Sequence, residues 1–219
     1  MGPSVQIPYV PHFDLLFIEN YPIRAETPQD DEMAKSARIM DDAWASVRAS
    51  GMAGRSVIAI PQAFRGWKSW KRLPTAEEIR CQTYLAIACG ARGLCFYAST
   101  GQVGNSPEER ERLPQPHFGP LDSPETKASF FALTQEISAL EPSLVSRDAP
   151  RQPAVTVVKG PAKNVLGGDS VRCLLKEDGL LVLASSAHLP VTAEIRLPSG
   201  AVLTRELDRF AGWAERTGK

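Results

Sequence analysis

A capped helix that runs through a glycine into an apolar strand, between Arg72 and Ser99, constrains the fold of this chain more than any other segment. Thr75 can cap the helix while Glu78, three residues later, reaches back to the cap amide, which is the pattern of a capping box. Gly90 can adopt the left-handed conformation that ends a helix. The unbroken apolar run from Gly93 to Ala98 is typical of a parallel strand covered on both faces. This order predicts a helix packed on a buried parallel strand.

Two earlier strands precede this unit. The short apolar runs 13–18 and 55–60 predict strands, and Thr27-Pro28 between them predicts the start of a helix. Apolar residues then recur at spacings of three and four, as in an amphipathic helix, up to a stop at Gly51. The resulting order is strand, helix, strand, helix, strand, which indicates an α/β fold.

After a long Pro- and Gly-rich loop at 100–121, Ser123-Pro124 predicts the start of another helix. The composition then changes to Pro, Arg and Asp at 146–153, which indicates a linker. Five short apolar runs follow, and Asp178-Gly179 and Ser199-Gly200 predict hairpin turns between them. The runs are 154–159, 171–175, 180–185, 191–197 and 201–207. We therefore predict two domains, 1–147 and 148–219, the second a small antiparallel β-sandwich.

The amino-acid composition narrows the classes of partner and cofactor expected for this chain. The 25 basic and 25 acidic residues cancel, which argues against a nucleic-acid or anionic-membrane partner, and no apolar run reaches the ~20 residues that span a bilayer. The three histidines are far apart, the four cysteines form no C-x-x-C pair, and no phosphate-binding or dinucleotide motif is present. The sequence therefore predicts no metal and no cofactor, and it leaves the cellular compartment unknown.

Three segments together resemble the closing part of β-galactosidase-like glycoside hydrolases. They are Asn20-Tyr21-Pro22, Pro61-Gln62-Ala63-Phe64, and the run from Arg72-Leu-Pro-Thr-Ala-Glu-Glu to Ala86-Ile-Ala-Cys-Gly-Ala-Arg-Gly. The resemblance implies that the three strands are strands six to eight of a (β/α)8 barrel, followed by a β-sandwich. The predicted fold class is thus α/β: a partial (β/α)8 barrel of about three C-terminal β/α units, followed by a small antiparallel β-sandwich.

Such a barrel needs eight strands to close, and only three β/α units precede the predicted sandwich. An open barrel would leave parallel strand edges and apolar faces exposed. We therefore expect either a missing N-terminal segment or a partner chain that completes the barrel.

This prediction places only part of the catalytic residues in this chain. Glycoside hydrolysis of this kind uses two carboxylates about 5 to 9.5 Å apart. The resemblance implies an acid on strand four, outside this chain, and a nucleophile at the end of strand seven, where this chain has Ile60-Pro61-Gln62. Glu19, at the end of the first strand, is the candidate catalytic carboxylate; its alternative role is that of a solvated or salt-bridged strand-end residue.

The candidate substrate-binding residues lie near the other strand ends and in the loop 64–72. Aromatic rings can stack on a sugar or pack beneath a loop, and an amide can bind hydroxyl groups. The candidates are Gln62, Tyr21, Trp67, Trp70 and Tyr97. Loop 64–72 alternates aromatic and basic residues, so nucleic-acid binding is an alternative function of this loop. Such binding would weaken steeply as the salt concentration rises.

The sequence therefore predicts part of a carbohydrate-active protein with a carbohydrate ligand. In its full-length form, this protein is expected to be a glycoside hydrolase acting on O-glycosidic bonds, to which this chain contributes substrate-binding residues. The alternative is a noncatalytic carbohydrate-binding or scaffold protein.

Overall fold

The computed structural model describes residues 8–52, 54–66, 69–98, 119–122 and 124–218. This part of the chain contains three α-helices: α1 (Glu32–Ala49), α2 (Ala76–Ala88) and α3 (Pro124–Leu144). Two short 3-10 helices lie at Val10–His12 and Pro120–Asp122.

Three parallel strands form the first sheet, in the order β1, β2, β3. They are β1 (Leu15–Asn20), β2 (Ser56–Pro61) and β3 (Gly93–Leu94). Leu15 lies opposite Ser56 and Asn20 opposite Pro61, so β1 and β2 pair along their full length. All three strands therefore end at the same edge of the sheet.

Six antiparallel strands form two further sheets of three strands each, in the orders β4-β7-β8 and β5-β6-β9. They are β4 (Ala154–Lys159), β5 (Val171–Leu175), β6 (Leu180–Ser185), β7 (Val191–Arg196), β8 (Val202–Leu207) and β9 (Gly212–Arg216). The hairpin turns predicted at Gly179 and Gly200 are confirmed, since both glycines have a positive φ, at 87° and 90°. Strand β9 was not predicted from the sequence.

The predicted partial (β/α)8 barrel is wrong. In the described residues the parallel strands number three, β3 has only two residues, and β1 and β3 are both edges of an open sheet. On β1, Leu15 and Phe17 are 49% and 54% exposed, so one face of the sheet is open as well. The fold is instead a small parallel sheet with two helices on one side, joined to two antiparallel sheets.

Helix α2 begins as the sequence predicts. The Glu78 amide donates to the Thr75 hydroxyl at 3.2 Å, and the Thr75 amide donates to the Glu78 carboxylate at 2.8 Å, so the capping box is confirmed. At the other end Gly90 has a φ of 92°, the conformation that only glycine adopts readily.

Two other boundaries differ from the prediction. Helix α1 begins at Glu32 rather than at Thr27-Pro28, and no side chain caps it. The third strand ends at Leu94, and beyond it the pairing with β2 continues only as an isolated bridge between Tyr97 and Gln62. Most of the predicted loop 100–121 lies outside the described residues.

One hydrophobic core crosses from the helices to the antiparallel strands. It includes Ile79, Tyr84 and Leu85 of α2 together with Leu180 and Val182 of β6. Arg80 extends this contact, because its guanidinium donates to the Gly212 carbonyl at 2.7 Å and binds both oxygens of Glu136 on α3. Helix α2 is therefore part of the same hydrophobic core as sheet β5-β6-β9. The domain boundary at 147/148 stays a prediction.

Within the described part of the chain, no helix is both long and apolar enough to cross a membrane.

Gly212→Ala should destabilise the protein by about 1–3 kcal/mol, because small-to-large changes in a packed core force displacements. A Cβ at Gly212 would lie 2.6 Å from the Cβ of Tyr84, where α2 contacts β9. Urea denaturation measures the loss. Gly54→Ala is the matched control, since a Cβ there meets no atom within 4 Å. Equal stability of the two variants would show that α2 and β9 are not in close contact.

Candidate functional site

An aromatic cluster lies where the three parallel strands end. Tyr21 directly follows β1, Phe64 lies three residues after β2, and Tyr97 lies three residues after β3. Trp70 joins them from the loop that leads to α2. The carboxyl edge of a parallel sheet is where α/β folds usually bind ligands, which makes this cluster the candidate site.

Phe64 is the centre of the cluster. Its ring centroid lies 5.1 Å from that of Tyr21, 5.3 Å from that of Trp70 and 5.3 Å from that of Tyr97. Tyr21 and Tyr97 also face each other at 5.9 Å with an angle of 29° between their planes. These separations are within the range of favourable aromatic pairs, so the four rings support one another.

The rings differ in exposure. Phe64 is fully buried, whereas Tyr97 is 38% exposed. Trp70 is half-buried: its indole N–H donates to the Tyr21 carbonyl at 3.4 Å, and the Arg24 guanidinium lies 5.6 Å from its ring centroid. Tyr97 is therefore the ring with the most open surface, and Trp70 contributes to the position of Tyr21.

Gln62 lies beneath the rings and is fully buried. Its amide oxygen accepts from the Ile23 amide at 2.9 Å, and its NH₂ group donates to the carbonyls of Ile23 and Phe64 at 2.9 and 3.1 Å. The side chain thus fastens the backbone after Tyr21 to the backbone around Phe64. These contacts show a supporting role, while the predicted contact of Gln62 with a substrate stays a prediction.

Glu19 is exposed on β1, two residues before Tyr21. Burial raises the pKa of the Tyr21 phenol, and the nearby charge of Glu19 raises it further. The phenol therefore keeps its proton at neutral pH and can donate a hydrogen bond, while Glu19 supplies a carboxylate acceptor at the same strand end. The catalytic role predicted for Glu19 stays a prediction.

An ion-pair cluster connects the loops that carry the aromatic rings. Arg72 donates to Glu32 at 2.6 Å and to both oxygens of Glu78 at 2.5 and 2.7 Å. Both glutamates are buried, at 1% and 3% exposure. Burial raises the pKa of Glu32 despite its contact with Arg72. Arg72 thereby holds the start of α1 and the start of α2 together below the site.

The structure brings together four of the five predicted substrate-binding residues: the rings of Tyr21, Trp70 and Tyr97, and Gln62 beside them. Trp67 lies outside the described residues. Sequence reasoning missed Phe64 and Arg24; the position of Phe64, two residues after Gln62 at a strand end, was the signal available for it. Among the described residues, no group of three or more His, Cys, Asp or Glu side chains could hold a metal ion.

Gln62→Leu should lower the free energy of unfolding by about 2–4 kcal/mol, because it leaves buried backbone groups of Ile23 and Phe64 without partners. Chemical denaturation followed by circular dichroism measures this loss. Gln135→Leu, at an exposed position on α3, is the control and should change stability little. A loss no greater than that of the control would rule out the supporting role of Gln62.

Glu32 should make stability fall as the pH rises. Because its pKa is raised in the folded state, its contribution is fully present below its ordinary pKa of 4.5 and is lost as the pH rises through the folded value. Glu32→Gln removes this titration, so the stability of the wild type relative to the variant should decrease as the pH rises above the ordinary pKa of 4.5. Urea denaturation across this range measures the difference, and a constant difference would contradict the raised pKa.

No family model and no curated protein matches this sequence.

Proposed function

We propose that this chain binds a carbohydrate at the aromatic cluster and acts as the sugar-binding part of a carbohydrate-active protein. One observation carries the proposal: Tyr97 is 38% exposed while the buried ring of Phe64 contacts its ring at right angles, with 5.3 Å between the centroids. A partly exposed ring that its neighbours hold in place offers apolar surface at little entropic cost. Such a surface suits the apolar face of a pyranose.

Polar groups beside the rings supply the complementary contacts. Glu19 is an exposed acceptor, and the Tyr21 phenol is a protonated donor at the same strand end. A sugar presents hydroxyl groups that both donate and accept, so one carboxylate and one phenol can orient the ring that stacks on Tyr97.

The position of Glu19 favours hydrolysis of a glycoside as the second candidate function. Its carboxylate is exposed beside the site, where a bound substrate can reach it. The reaction also requires a second carboxylate about 5 to 9.5 Å from the first. Glu19 supplies one carboxylate at the described strand ends. These residues therefore support sugar binding more fully than hydrolysis.

Tyr97→Ala should weaken sugar binding about fivefold to tenfold, the loss expected when an aromatic stacking contact is removed. Titration calorimetry with lactose and with methyl β-galactoside measures the change. Tyr9→Ala is the matched control, because Tyr9 is also an exposed tyrosine, at 60%, but lies before β1, away from the carboxyl edge of the sheet. Unchanged affinity in Tyr97→Ala, or no binding of either sugar by the wild type, would refute the proposal.

Glu19→Gln separates the two candidate functions. Hydrolysis of nitrophenyl β-galactoside by the intact protein should fall about 100-fold or more if Glu19 takes part in proton transfer or attack. Glu26→Gln is the control, since this carboxylate is 81% exposed in the loop that follows. Hydrolysis that is equal in both variants would remove the catalytic role of Glu19 and leave binding alone.

A further inference from the structure

A cavity lies between α2, α3, β3 and β5, away from the aromatic cluster. Its volume is about 260 Å³. We call it the α3 cavity; its apolar wall consists of Ile87, Leu94, Ile137, Leu144 and Leu174. Ile137 and Leu144 are seven residues apart and therefore lie on the same face of α3.

Two cations line one end of the α3 cavity. They are Arg92, just before β3, and Lys176, just after β5. The Arg92 guanidinium donates to both oxygens of Asp148, at 3.0 and 2.7 Å, and the Lys176 ammonium donates to the same carboxylate at 2.8 Å. Two positive charges therefore share one negative charge at this end of the cavity.

Lys176 is unusual because it is only 2% exposed. A buried ammonium is costly unless its donors are satisfied, and Asp148 takes one of three N–H donors. Burial alone would raise the pKa of Asp148, but hydrogen bonds from Arg92 and Lys176 lower it, so its carboxylate is ionised at neutral pH. Glu141 also lines the cavity, on the same face of α3 as Ile137 and Leu144, and its exposed carboxylate would repel an anion.

We propose that the α3 cavity binds a small aliphatic carboxylate, with its carboxylate on the exposed Arg92 and its chain against Ile137, Leu144 and Leu174, while the buried Lys176 adds its charge from behind. The apolar wall requires an apolar body, and the two cations at one end suit a single carboxylate, since Asp148 and Glu141 oppose a more highly charged anion. The cavity is slightly smaller than the ~300–1,000 Å³ usual for drug-sized ligands. A carboxylate of about six carbons is smaller than a drug-sized ligand and suits a cavity of this volume.

Titration calorimetry of the full chain with sodium hexanoate tests the proposal, with hexan-1-ol as the uncharged probe of equal length. Hexanoate should bind with a dissociation constant near ~1 mM, a usual value for so few atoms, and hexanol should bind more weakly. Equal binding of the two probes would refute the role of the cations. Failure of hexanoate to bind at ~10 mM would refute the site.

Two charge variants give opposite expected results. Arg92→Gln should weaken hexanoate binding about fivefold while hexanol binding stays unchanged. The Arg92 side chain is 42% exposed, and Lys176 keeps its partner Asp148, so the variant should fold. Glu141→Gln should strengthen hexanoate binding by a similar factor, because it removes the opposing charge. The same change in both variants, or none in either, would contradict the charge arrangement.

Ser138→Phe tests whether the ligand occupies the cavity itself. Ser138 lines it from α3, and an aromatic side chain there should abolish binding of both probes. Ala139→Phe adds the same ring at the next residue, which is exposed and does not line the cavity, and should bind as the wild type does. Circular dichroism checks that both variants keep the helix content of the wild type. Binding to Ser138→Phe at wild-type affinity would place the ligand elsewhere.

Discussion

Helix α2 is buried on nearly every side, and both the parallel sheet and the antiparallel strands pack against it. One side faces β2 of the parallel sheet, while Tyr84 meets Gly212 of β9 so closely that no Cβ fits between them. An element covered in this way cannot shift without disturbing two sheets, because protein interiors are close-packed. The capping box at Thr75 and the left-handed Gly90 fix its two ends. The loop that carries Phe64 and Trp70 ends at this rigid helix.

The candidate site is held from below by polar side chains as well as by backbone pairing between its segments. Gln62 bonds to Ile23 and Phe64 as a neighbouring strand would, through one accepting and two donating contacts. Arg72 performs a similar function with two buried glutamates. Buried hydrogen bonds of this kind are costly to break, since each partner left behind is desolvated. The aromatic rings above them are therefore preorganised for contact with a ligand.

Local features of this fold were predictable from the sequence, whereas its closure was not. The capping box, the hairpin turns and most strands depend on neighbouring residues, and they occur where the pattern predicts them. The barrel was wrong because closure depends on how many strands meet in space, which three β/α units do not determine. At the site, the strand-end positions of Tyr21 and Tyr97 were informative. The burial of Gln62 was not visible, because a glutamine that supports a loop and one that binds a sugar look alike in sequence.

The four cysteine thiols differ in burial, so the thiol on the open side of the parallel sheet differs from the others in reactivity. Burial raises the pKa of Cys89 to about 12 and that of Cys173 to about 11, and it raises the pKa of Cys81 well above its usual value. Cys95 alone among the four is exposed, two residues before Tyr97. The thiolate is the reactive form, so alkylating reagents distinguish this position from the interior. The strand end beside the aromatic rings is thus a natural attachment point for a fluorescent reporter.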